Sequence, residues 1–275
     1  MQITEMEAAA QIGVEMKNLC KATMYRMVKS TGMRVAVGLT AVAAVLYYSC
    51  AFMIAEGKID ISQAGSITGL GDAMMLWLFG ALAVSLLIGS DFEHKTIHGA
   101  IRFGRRKMVL NYMLAYLVLV TVLVLPYTIG SLVCVCSGAD FTGAEGTVIS
   151  LYLGNVFAYE EGMAGKLVLS YLAGLAVYIG QLSICVPVAV KVKKPVVVTA
   201  FGFFFGMIAA LISTLASKVE LLDNIYQLTP YRYGMAQTGV GAETGDMWMG
   251  IAVSLVFTAL MGVVSWLVLK KADIK

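Results

Sequence analysis

Val109–Cys136 reads VLNYMLAYLVLVTVLVLPYTIGSLVCVC and holds no Asp, Glu, Lys or Arg. At about 1.5 Å of rise per residue, a helix of that length outruns a hydrocarbon core of about 30 Å. Five more stretches share its character: Val35–Ala55, Ala73–Gly89, Leu167–Val190, Val196–Ala216 and Met247–Leu269, all free of charged residues. The whole chain is 59% hydrophobic and 13% charged, far from the balance of a soluble domain, which would have too few polar residues to cover so much apolar surface. The sequence therefore predicts an all-α integral membrane protein with six transmembrane helices. No repeat or low-complexity tract divides it, so residues 1–275 read as a single membrane domain: 1–34 interfacial, 35–269 the six spans, and 270–275 a tail.

The charges between the stretches alternate in sign. With the amino terminus in the cytoplasm, the inner segments collect sixteen of the twenty basic residues, leaving Lys58, Lys166, Lys218 and Arg232 outside with eleven of the seventeen carboxylates. Basic residues on short loops hold those loops inside, so both termini are expected in the cytoplasm of a bacterial plasma membrane. The net charge of +3 is then a signature of topology and not of nucleic-acid binding. Residues 1–32 offer no uninterrupted apolar core, and no cleavable signal peptide is expected.

On a helical projection of about 100° per residue, residues 14–32 gather Met16, Leu19, Cys20, Met24 and Met27 on one arc, with Lys17, Lys21, Arg26 and Lys29 around the rest. This fits an amphipathic elbow helix in the inner interface, and equally a basic anchor flanking the first span. The segment Asp91–Met108 resumes a helical pattern through Phe92, Ile97, Ala100 and Ile101, with Gly104 as its end. Pro195 opens the fifth span. Pro126 and Pro187 fall inside the third and fourth, where each removes a backbone donor and bends the helix. Gly202 and Gly206 form a small-xxx-small pair, a candidate dimer face. The outer segments 137–166 and 217–246 are rich in Gly, Thr, Tyr and acids, and are expected to hold short helices or re-entrant pieces.

Ion-coupled transporters keep ionisable groups within their spans. Here the nearest is Asp72, at the outer edge of the second span, where a solvated loop position is the simplest reading. His94 and His98 share a helix face but lack a third ligand and the HExxH order, so no metal site is expected. Neither a G-x-S-x-G elbow nor a phosphate-binding G-x-x-x-x-G-K-[ST] loop occurs, and no catalytic residue, cofactor or ATP hydrolysis is assigned to this chain. Of the five cysteines, Cys20 and Cys185 sit toward the inner side. Cys50, Cys134 and Cys136 approach the outer side, where packing thiols and a disulfide are both chemically open.

The stretch Asp91–Lys107, DFEHKTIHGAIRFGRRK, resembles the cytoplasmic coupling segment of type-2 ATP-binding-cassette exporter permeases. The acidic-aromatic start, the Thr with a branched apolar neighbour and the closing basic cluster correspond to Phe92, Glu93, Thr96, Ile97, Arg102, Arg105 and Lys107. Gly104 followed by Arg105-Arg106-Lys107 looks most like the bacitracin and lantibiotic resistance and immunity branch, whereas Lys95 stands where many members have glycine.

The resemblance implies a permease paired with a second six-span subunit, identical or related. Two separate ATPase subunits would carry ATP and Mg, and ATPase closure would be delivered through residues 91–107 and the elbow. Phe92, Glu93, Thr96, Ile97, Arg102, Arg105, Arg106 and Lys107 become the docking candidates, the last three equally able to bind anionic lipid heads. The substrate would be a peptide, antibiotic or other amphipathic compound. Two other classes compete: a non-transporting membrane scaffold or sensor binding a cytoplasmic partner, and an intramembrane enzyme, for which the spans offer only scattered hydroxyls and Gln181.

Overall fold

The computed structural model describes residues 2–59, 70–93, 104–139, 141, 150–160, 162–216 and 218–271, with backbone only at 2–15, 93, 214, 220 and 221. Among them every regular element is helical, and six helices are long and apolar enough to cross a membrane: Thr31–Ala55, Asp72–Phe92, Arg105–Ser137, Ala164–Val192, Pro195–Ser213 and Thr244–Lys271. The first four and the sixth contain the stretches read from the sequence, with a few residues added at their ends, and the fifth belongs to a helix, Pro195–Ala216, that covers its stretch. The third begins at Arg105 because Gly104, at φ +98°, adopts a backbone shape that only glycine takes without strain. The basic triplet is thereby the first turn of a span and not part of a loop.

An amino-terminal helix, Gln2–Lys29, precedes the bundle. Ser30 alone separates it from the first span, in an extended conformation, with its hydroxyl accepting the Met33 N–H at 3.4 Å. This serine cap supplies a partner for a helix-start donor while turning the chain. Short helices at Gly154–Phe157, Glu220–Gln227, Pro230–Arg232 and Met235–Thr238 occupy the opposite end of the bundle, in the segments where short helices are expected.

The fourth span is the bundle's centre, with 83% of its most apolar window buried against 22% and 17% for the fifth and sixth. Glycine makes this enclosure possible. A Cβ at Gly180 would stand 2.8 Å from Pro230 and 3.0 Å from Ser254, and one at Gly174 would press on the Tyr152 ring. The span is also broken. Pro187 has no N–H to offer the Ser183 carbonyl, which takes the Val186 N–H at 3.1 Å instead, and the helix restarts at Cys185. Pro126, in contrast, lies within one continuous helix, Arg105–Ser137.

Gly202 and Gly206 are turned inward, which corrects the dimer-face reading. A Cβ at Gly202 would meet Ala81 and Cys185, and one at Gly206 would meet the Trp77 indole. The pair lets the second and fifth spans approach within the same subunit. Side chains such as Leu39, Val42, Leu211, Leu215, Val256 and Leu260 are left exposed along the outside, in keeping with a bilayer as the surrounding solvent. Buried hydroxyls inside the spans mostly fold back on their own helix, as Thr40 does to the Ala36 carbonyl and Thr258 to that of Ser254, both at 2.8 Å.

Candidate functional site

At the basic end of the bundle, the amino-terminal helix, the second span and the third span meet in one polar junction. Arg26 grips Asp91 with both arms of its guanidinium, the Nη2–Oδ2 contact being 2.7 Å, and the Tyr112 hydroxyl donates to the same carboxylate at 2.7 Å. One turn away, Asn111 donates to the Thr23 hydroxyl at 2.8 Å. Asp91 is 4% exposed, so its charge needs this complement. Burial lowers the Arg26 pKa, with Tyr112 opposing it, but a guanidinium stays charged regardless.

Two further contacts tie the same end together. The Lys193 ammonium lies 5.3 Å from the centre of the Phe92 ring, within cation–π range. Lys193 itself sits at φ +61°, the left-handed conformation that ends a helix at modest cost to a residue with a Cβ. Arg105 donates to the carbonyls of Leu269 at 3.2 Å and Lys270 at 2.6 Å. A cation thus serves the negative end of the sixth span, where its dipole favours positive charge.

The residues singled out in the sequence fall into this frame as follows. Phe92 is half-buried, packed between the core and Lys193; Glu93 closes the second-span helix; Thr96, Ile97 and Arg102, together with His94 and His98, lie outside the described residues. Arg105 is engaged with the sixth span and Lys107 is half-buried. Arg106 is exposed and borders an apolar groove of about 610 Å³ between the third and sixth spans, floored by Met113, Gly262 and Trp266. On the amino-terminal helix, Met16, Leu19, Met24 and Met27 are half-buried, the last two packed on the core, while Lys17 and Lys21 are exposed. Arg26, Asp91 and Tyr112 were not separable in the sequence from topology charges and an ordinary aromatic. The one available signal was a carboxylate immediately following an apolar run.

At the opposite end, Asp72 is fully buried and not a solvated loop residue. Its carboxylate accepts the N–H groups of Ala73 at 2.7 Å, Leu151 at 3.1 Å and Tyr152 at 2.9 Å, fastening segment 150–153 onto the start of the second span. Around it are the buried rings of Tyr47, Tyr48, Tyr127, Tyr152 and Tyr178. The hydroxyls of Tyr47, Tyr48, Tyr152 and Tyr178 find no partner in good hydrogen-bonding geometry.

Beside Asp72 lies a cavity of about 270 Å³ between the second, fourth and fifth spans and the 226–235 segment, walled by Trp77, Tyr178, Tyr226, Tyr231 and Tyr233. Trp77 enters it from a π-helical turn, Leu76–Gly80, a local widening that often marks functional positions in helices. The cysteines are all free thiols, Cys134 and Cys185 buried. Among the described residues no cluster of three metal-binding side chains occurs.

Among the described residues the fold is all-helical, with six helices long and apolar enough to cross a membrane. No protein-family model matches the chain, and no curated protein matches it.

Proposed function

We propose that this chain is the permease subunit of an ATP-binding-cassette exporter in a bacterial plasma membrane, its termini and basic end facing the cytoplasm. It would pair with a second permease subunit and two ATPase subunits, which bind ATP and Mg and fuel outward movement of a peptide, antibiotic or other amphipathic compound. The observation that carries this reading is the anchoring on both sides of segment 94–103. Asp91 and Phe92 bind the amino-terminal helix, the third span and the fourth-to-fifth turn, and Arg105 binds the end of the sixth span.

A push on that segment therefore reaches several spans together as a rigid-body displacement, which is what a lever between a soluble motor and a membrane bundle requires. A resemblance of the intervening sequence to a coupling segment agrees with this mechanical position.

Copurification tests the reading. The full chain in lipid should retain an ATPase of roughly 200–300 residues, an ordinary domain size, and stimulate its turnover. Glu93→Lys with Arg102→Glu should abolish both. Unchanged complex formation and unchanged stimulation would remove the coupling role.

A further inference from the structure

We propose that the aromatic-walled cavity at the end opposite the basic junction binds a small organic cation, an alkylated ammonium, among the rings of Trp77, Tyr226 and Tyr231. Three features of the site select this ligand class.

The rings are fixed in advance. The Trp77 indole donates to Gln181 Oε1 at 3.1 Å, the Tyr231 hydroxyl to the Gln181 carbonyl at 2.6 Å, and the Tyr226 hydroxyl to the carbonyls of Ala209 at 2.8 Å and Tyr231 at 3.0 Å. Gln181 in turn donates to the Pro230 carbonyl at 3.3 Å. A box whose walls are already ordered loses little entropy when a ligand enters.

These same bonds consume the donors. With the Trp77, Tyr226 and Tyr231 donors committed to carbonyl and amide oxygens, the walls offer aromatic rings and few free hydrogen-bond donors, a lining that suits neither an anion nor a polyol. A cation gains from each ring quadrupole it faces, most from tryptophan.

The third feature is charge. Asp72 is a fully buried carboxyl that accepts three backbone N–H groups, and among the described residues no Lys or Arg forms an ion pair with it. Ala73 and Leu151, two of those donors, line the cavity, as does Tyr178, whose buried ring stands beside Asp72. The carboxyl thus sits one residue layer behind the wall, and at low dielectric a cation in the cavity supplies the counter-charge that its ionised form lacks. At about 270 Å³ the space lies just under the usual range of ligand pockets, roughly 300–1,000 Å³, so it takes a compact head group.

The test is an equilibrium titration of the full chain in detergent with choline and with choline's uncharged carbon isostere, read by tryptophan fluorescence and calorimetry. Choline should bind at least about tenfold more tightly than the isostere, as a desolvated cation–π contact requires. Trp77→Leu should abolish that preference, and Trp248→Leu, at an exposed position, should leave it intact. Ala210→Trp, which fills the cavity from an exposed position on the fifth span, should block choline and decides the matter if Trp77→Leu does not fold. Equal binding of the two probes, no binding of choline, or wild-type choline binding in either folded cavity variant would overturn the proposal. The titration uses no ATPase, so its outcome is independent of the exporter reading.

Discussion

Arg26 and Asp91 are 65 positions apart in the chain, yet one guanidinium holds the amino-terminal helix to the end of the second span. Removing it by Arg26→Ala takes the guanidinium from a buried carboxylate that keeps the Tyr112 hydroxyl, and with Arg26 itself partly exposed the loss should cost about 1–3 kcal/mol. Thermal unfolding in detergent should show a clear fall in midpoint. Arg26→Lys should recover only part of it, because an ammonium cannot reproduce the two-armed contact.

A second prediction belongs to Tyr226. Burial raises its phenol to about 12, above the ordinary value near 10. A raised folded pKa in an acid that is neutral when folded means its contribution to stability is complete below pH of about 10 and is lost as pH rises toward 12. The wild type should loosen in that window, reported by Trp77 emission, and Tyr226→Phe should shift this part of the response upward. No change on substitution would mean that Tyr226 is not what opens the cavity wall.

At the scale of elements, the close approach of the second and fifth spans depends on Gly202 and Gly206. Gly206→Leu must displace the Trp77 indole, and overpacking of this kind costs about 1–3 kcal/mol. It should also open the aromatic cavity, so lost stability and a red-shifted tryptophan spectrum should appear together, whereas Gly38→Leu, with open space around its Cα, should produce neither. In the sequence the two glycines were visible as a packing pair, but not the helix they face. The choice between a neighbouring span and a second subunit depends on which way the fifth helix is rotated, and both faces of that helix are apolar. The break in the fourth span was signalled by Pro187, whereas the equally visible Pro126 interrupts nothing, because a missing donor is tolerated where the surrounding helix holds its geometry.

For the whole molecule, sidedness is the matter to measure. Single cysteines placed at Lys58 and Lys166 in a cysteine-free background should react with a membrane-impermeant reagent on intact cells, and those at Lys191 and Lys270 only after permeabilisation. The reverse pattern would invert the protein and take the basic junction away from any cytoplasmic ATPase.

Class and helix count were determined by the sequence alone, because the need to bury every backbone polar group in a hydrocarbon slab leaves an uncharged run of about 20 residues one solution, a helix across it. Such a criterion is local and needs no knowledge of neighbours. The two polar centres were decided only by tertiary structure. Asp72 looked like a loop residue until the 150–153 backbone folded over it, and Arg26 looked like a topology charge until Asp91 arrived from another helix. A charged side chain's role is set by what lies within a few ångströms of it, and that distance is fixed by packing between segments far apart in the chain.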